Sequence, residues 1–252
     1  MDMQQDVVQH LTELRKRLIY VAAWFLGALC VGIYISPYIL HIVQSNLGSI
    51  NVQWSVFGLS DGLLVYMKCA MLFSFAATLP CLLYHILAFA KPGLTVREAK
   101  GAFWFVPASV VLFALGVLFG YTVVLPMMIR FMVKLNHVIG ANEVYGLQHY
   151  ISFLFSFLLP MGIAFEMPLV MLFLTLIGLL TPGSIKSIRK YAYVSLAIIG
   201  ACISPPDFIS HLSVTVPLIM LFEISVFISW RYSVSKRRKL SMMNSNPNPN
   251  PT

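Results

Sequence analysis

Apolar residues in this chain come in long runs, and polar residues collect in short stretches between them. Most runs extend for roughly 20–30 residues, the length an α-helix needs to cross about 30 Å of hydrocarbon. They do not alternate in ten-residue segments as barrel strands do, so the pattern predicts an all-α integral membrane protein with six transmembrane helices. The spans are expected at about Leu18–Tyr38, Leu63–Phe89, Ala102–Leu125, Ile151–Leu180, Tyr191–Ser204 and Phe208–Trp230. Residues 1–17 form an interfacial helix leading into span 1, with Leu11, Leu14 and Leu18 at helical spacing. Residues 18–230 then make the membrane domain, and residues 231–252 a basic, then disordered, tail. Pro126 closes span 3, and the following PMMIRFMVKL reads as a short amphipathic surface helix. Span 5 has only about 14 residues before Pro205-Pro206, roughly 21 Å of helix. Span 5 is therefore read as short, a mismatch that thins the adjacent bilayer.

Composition agrees with the pattern. Hydrophobic residues are 59% of the 252 and charged residues 10%, against about 25% charged in soluble domains. A net charge of +8 in a soluble protein would suggest nucleic acid. Here the basic residues sit at span ends, so the charge reports topology and calls for no nucleic-acid partner. Three lie in the N-terminal segment, three between spans 2 and 3, three between spans 4 and 5, and five in the tail. Only Lys68, Arg130 and Lys134 fall on the opposite side. The expectation is a multi-pass protein of a bacterial-type plasma membrane with both termini cytoplasmic. The first apolar run is too long for a cleavable signal and lacks a small-residue cleavage site. The four cysteines lie in apolar segments without CxxC spacing and read as packing residues.

Chemistry therefore rests on the nine acids. Glu166 is the one ionisable residue between Ile151 and Leu180, with Pro160 before it and Pro168 after it. An acid at the bilayer centre costs roughly 2.5–3.5 kcal/mol, so it is expected to face protein or a wet cavity beside a bent helix. Asp2, Asp6, Asp61 and Glu143 read as solvated charge in tails or outer loops. Glu13 and Glu98 stand on the basic side. Each either pairs locally (Glu13 with Lys16 or Arg17, Glu98 with Lys91 or Lys100) or joins the other to receive a cationic ligand, arginine above all. Asp207 follows Pro205-Pro206 and is either the N-cap of span 6 or functional. Glu223 pairs with neighbours of Arg231 or forms a second intramembrane polar group. The scattered histidines, His85 and His211 among them, read as satisfied structural groups, and no metal, cofactor or nucleophile motif is present.

From about His10 to Ser233 the chain resembles the TatC family, the core subunit of the twin-arginine protein translocase. The resemblance rests on HLTELRKRL (His10–Leu18), FAKPGL (Phe89–Leu94) followed by Glu98, FEMP around Glu166, SPPD (Ser204–Asp207) and LFEISVF (Leu221–Phe227). It implies a cupped bundle with short helices 5 and 6. It also implies recognition of twin-arginine signal peptides on folded precursors, and transport driven by the proton motive force with single-span TatA- and TatB-type partners. On this likeness Glu13, Arg17, Phe89, Pro92, Leu94 and Glu98 form the signal-peptide surface. Glu166, Asp207 and Glu223 are then polar contacts within the membrane, and the protein is a non-enzymatic member of a homo-oligomeric receptor complex. The family often has a basic pair after its loop glutamate; this chain reads Glu98-Ala99-Lys100. The rival reading is a proton- or ion-coupled small-solute transporter relaying through Glu166, Asp207 and Glu223. The lack of a detectable internal repeat argues against it.

Overall fold

Helices that are apolar on all sides are stable only when lipid covers what protein does not. The computed structural model describes residues 2–46, 55–90, 103–138, 140, 146–204 and 207–244, nearly all of them helical. In chain order these are α1 (Asp2–Asn46), α2 (Asp61–Ala90), α3 (Phe105–Phe119), a π-helical turn (Gly120–Val124), α4 (Leu125–Val138), α5 (Leu147–Phe165), α6 (Met167–Leu176), α7 (Pro182–Ile203) and α8 (Phe208–Asn244). Among the described residues five stretches are long and apolar enough to cross a membrane: Leu11–Val43, Asp61–Phe89, Phe105–Val138, Leu147–Leu176 and Phe208–Ser235. The remaining span is α7. Its first turns carry Arg189 and Lys190, which leave an apolar portion starting only at Tyr191.

Several boundaries differ from the sequence reading, each for a local reason. Span 1 does not stop at Tyr38. The helix runs through Pro37 to Asn46 because Leu40 and Val43 pack against Val65, Cys69 and Ile151. Nor does Pro126 end span 3. The single π turn lies just before it, with the Leu125 N–H bonded five residues back to Gly120 O. That wider turn relieves the clash a proline ring makes with the preceding carbonyls, so α4 continues α3 instead of lying apart on the surface. Span 4 ends earlier than Leu180, at Leu176, where Gly178 takes φ 81°. There the Leu179 and Leu180 N–H groups close back on Leu174 O, at 3.0 and 3.1 Å. Span 6 opens a 37-residue helix that continues through the basic segment to Asn244, four residues into the stretch from Ser241 whose composition predicts disorder. Mismatch with the bilayer therefore falls mainly on α7.

α1 packs mainly on α2, antiparallel to it. The Ser36 hydroxyl donates to Gly32 O (2.8 Å) and Tyr66 O (3.0 Å). The Trp24 indole donates to Ala77 O (3.1 Å), in the turn that precedes Pro80. Phe25 meets Phe75 edge-on at 5.3 Å, and Tyr20 stacks on His85 at 6.1 Å. The rest of α1 is bare, with Leu18, Trp24 and Leu26 all more than half exposed, as suits a helix facing lipid. The main core lies elsewhere, where Val124, Met128, Phe157, Met161, Leu196, Val214, Leu218 and Phe222 join α4, α5, α7 and α8.

At the end away from the termini the connections are tied together. Asp61 is 5% exposed rather than solvated, accepting from the Phe57 and Gly58 N–H groups at 3.0 and 2.9 Å. The Leu147 N–H donates to Ser55 O (2.9 Å), joining the start of α5 to the segment before α2. Cys69 is a buried packing residue as expected, whereas Cys30 and Cys202 face outward.

α3 and α5 approach closely at Gly116. A Cβ on Gly116 would sit 2.6 Å from Met161 O and 2.9 Å from Gly162 Cα, both backbone atoms that cannot swing aside. Gly116→Ala is thus expected to push α3 off α5 and destabilise the protein by about 1–3 kcal/mol. A lowered midpoint of thermal unfolding in detergent measures this, and a neutral result would mean the two helices do not pack this closely.

Candidate functional site

Glu166 sits where span 4 is broken in two. Its N–H bonds to Ile163 O in a tight turn (3.1 Å), and its own carbonyl accepts from both Leu169 and Val170 (3.0 Å each), starting α6. Pro168 falls in the first turn of α6, where a missing N–H costs nothing. The FEMP sequence therefore builds a hinge with the acid at its corner, as the flanking prolines predict. The Glu166 side chain is 4% exposed, and neither carboxyl oxygen has a hydrogen-bond partner among the described residues. It borders a cavity of about 770 Å³ whose wall is otherwise almost wholly apolar, formed by residues such as Leu83, Pro160, Met171, Ile199 and Phe222. A buried polar group left unpaired costs about 1–3 kcal/mol, so the carboxyl group is best satisfied by a donor entering the cavity.

Glu223 does not pair near Arg231, as one sequence reading had it. Its Oε2 meets the Arg189 guanidinium at 3.1 Å, and its Oε1 accepts from the Tyr193 hydroxyl at 2.5 Å. Arg231 instead lies over the Phe227 ring, 5.9 Å from its centroid. Arg189 and Tyr193 were missed as a pair, although their four-residue spacing puts both on one face of α7. The clasp holds α7 to α8, and Thr175 hydrogen-bonded to Ser229 holds α6 to α8 in turn.

Asp207 resolves in favour of the cap. Its Oδ2 accepts from the Ser210 N–H (2.7 Å) and its carbonyl from the His211 N–H (3.0 Å). Its Oδ1 is buried with no partner among the described residues. His85 stacks on Tyr20 and meets Tyr84 edge-on, yet its Nδ1 is buried without a partner among the described residues, so it is less fully satisfied than its sequence setting suggests. His211 has the Thr215 hydroxyl 3.5 Å from Nδ1.

On the side of the N-terminus, Glu13 takes the local partner. Arg17 reaches it through Nε (3.1 Å) and a terminal guanidinium nitrogen (2.5 Å), with 46% of the Glu13 side chain exposed. Pairings of Ser36 with Tyr66, Phe25 with Phe75 and Tyr20 with His85 set the register of α1 on α2. Continued toward the N-terminus, the same register brings Glu13 level with Phe89 at the end of α2. Pro92, Leu94 and Glu98 lie outside the described residues, so the expected meeting of Glu98 with Glu13 does too.

Comparison with known proteins gives a consistent result. The family model for "Sec-independent protein translocase protein (TatC)" matches residues 9–217. The chain is 37% identical over 226 residues to the Sec-independent protein translocase protein TatCy of Bacillus subtilis (strain 168), covering 90% of this chain and 89% of that protein. It is 31% identical over 237 residues to the TatC of Aquifex aeolicus (strain VF5), covering 93% and 98%. A crystal structure of the twin arginine translocase receptor TatC superposes with TM-score 0.76 at 32% identity, covering 87% of this chain and 97% of that one.

The Asp207 cap carries a direct expectation. Asp207→Ala removes an acceptor from the Ser210 N–H and should lower stability by about 0.5–2 kcal/mol, while Asp207→Asn keeps most of it. Thermal unfolding of the purified variants reads the difference. Equal losses in both would show that the charge matters more than the cap.

Proposed function

Since the chain belongs to the TatC family and is a subunit of the twin-arginine protein translocase, we propose that its N-terminal side docks the paired arginines of signal peptides on folded precursors. The observation that supports this is the Glu13 carboxylate, which already holds a guanidinium at an exposed position. An exposed pair of this i,i+4 kind contributes only about 0.3–0.5 kcal/mol, so Arg17 is easily displaced. An arriving arginine makes charge-assisted hydrogen bonds of about 1.5–3 kcal/mol each, less where solvent screens them. Glu98 supplies the second carboxylate, with Phe89, Pro92 and Leu94 shaping the surface between.

Fourteen of the seventeen basic residues fall in the N-terminal segment, the connections between spans 2 and 3 and between spans 4 and 5, and the tail, which we assign to the end carrying the termini. That end is cytoplasmic on the positive-inside rule, in a plasma membrane of bacterial type. Signal peptides therefore reach Glu13 from the compartment in which precursors fold. Glu166 acts later in the cycle. Its unpartnered carboxyl group and the cavity beside it suit a transmembrane helix bearing one polar side chain, from a signal peptide or from a TatA- or TatB-type partner. Copies of the chain assemble within one receptor complex, and the proton motive force drives the transport step. A translocase subunit displaces the small-solute transporter reading, and a path through Asp207 is further weakened by that residue's work as a helix cap.

Two measurements test the roles. Glu13→Ala with Glu98→Ala should reduce site-specific crosslinking of a twin-arginine peptide about ten-fold or more, to the level of its twin-lysine counterpart; undiminished crosslinking would overturn the docking role. Glu166→Gln keeps a hydrogen-bonding group and should retain much of the export activity, whereas Glu166→Leu should impair export with precursor binding intact. Equal loss of export in both would point to an ionised pair instead.

A further inference from the structure

The one exposed basic stripe at the end away from the termini lies on α4, among the described residues. It continues a stripe of lipid-facing side chains. Along α3, the π turn and the start of α4, Val111, Leu115, Leu118, Val123 and Met127 each stand 49–56% exposed. One turn beyond Met127 the outward face changes to Arg130, Lys134 and then His137, all exposed. They lie opposite Val124, Leu125 and Met128, which are at most 3% exposed in the core. From Phe105 to Met127 the helix is about 33 Å long, which matches about 30 Å of hydrocarbon. The apolar-to-basic switch therefore falls at the headgroup layer. Neither Arg130 nor Lys134 has an ion-pair partner among the described residues.

These two residues also run against the charge bias of the chain. Lys and Arg beyond an outer span end oppose the orientation that the other basic clusters impose. Of the third basic residue on that side, Lys68, the ammonium group is engaged by the Ser152 hydroxyl. The π turn supplies the geometry. By carrying one extra residue it rotates everything after it, turning Arg130 and Lys134 outward over the same lipid that covers Val123.

We propose that Arg130 and Lys134 bind the headgroup of an anionic phospholipid at the membrane face opposite the termini, anchoring the far end of span 3 at a fixed depth. Calling that face the outer leaflet rests on the orientation proposed above; the lipid contact does not. Two cations one turn apart suit a phosphate diester with a second acceptor, guanidinium taking the phosphate oxygens and ammonium the remainder. Each basic residue near an anionic surface enriches such lipids about five-fold.

The test uses the full-length protein with p-benzoylphenylalanine in place of Val123, two turns below Arg130 on the same stripe. It is reconstituted in phosphatidylcholine vesicles containing phosphatidylglycerol as a minor component, and lipid adducts on the peptide spanning residues 120–138 are quantified by mass spectrometry. Phosphatidylglycerol adducts are expected to exceed its mole fraction several-fold. The excess should fall to the mole fraction in Arg130→Gln/Lys134→Gln and persist in the charge-conserving Arg130→Lys/Lys134→Arg. Adducts at the mole fraction in the parent protein, an excess unchanged by the glutamines, or predominant crosslinking to protein would each overturn the proposal. No precursor or partner is present, so the result stands apart from the signal-peptide reading.

Discussion

Hydrocarbon offers a backbone no hydrogen-bond partners, so any departure from regular helix inside a span must be made good by protein. This chain departs repeatedly, at Pro37, Pro80, Pro126, Glu166-Met167-Pro168 and Pro217, and at three of these the compensation can be traced. A π turn absorbs Pro126, and Pro168 is placed where a helix needs no donor. The Trp24 indole caps a carbonyl beside the Pro80 turn. The breaks are thus positioned features of the spans, and they decide where polar side chains end up.

Glu166 shows what such a break achieves. A straight span 4 would carry the acid on one face of a continuous helix, with its backbone groups all internally bonded. Here the turn at Glu166 leaves the carboxyl group beside the space between α2, α5, α6, α7 and α8, whose walls are almost wholly apolar. The neighbouring acids are treated differently. Glu223 is held by Arg189 and Tyr193, Asp207 caps α8, and Asp61 closes a turn. Of the acids placed within or at the ends of the spans, Glu166 is the one whose carboxyl oxygens both lack partners among the described residues, and the proposed role for it rests on that difference.

The basic residues are spread unevenly along the chain. Most fall in the N-terminal segment, two connections and the tail, assigned to the end carrying the termini, and the exposed Glu13 carboxylate stands against that background. The opposite end is nearly free of cations, so Arg130 and Lys134 stand out there in the same way. In both places the informative charge is the one that contradicts its surroundings.

The membrane class, the number of spans and the family were legible in the sequence because a bilayer imposes length and apolarity residue by residue, whatever the packing. The break at Glu166 was legible too, since prolines act through local backbone geometry. Span ends at Tyr38 and Leu125 were misplaced because packing on α2 and a π turn, neither encoded within a single helix, carried those helices onward. Partners were less legible still. That Glu223 chooses Arg189 and Tyr193 over Arg231, and that Asp61 is buried, depends on which helices are neighbours. Only the tertiary structure decides that, because contacts between spans depend on how helix faces fit together, and one helix's periodicity says nothing of its neighbour's.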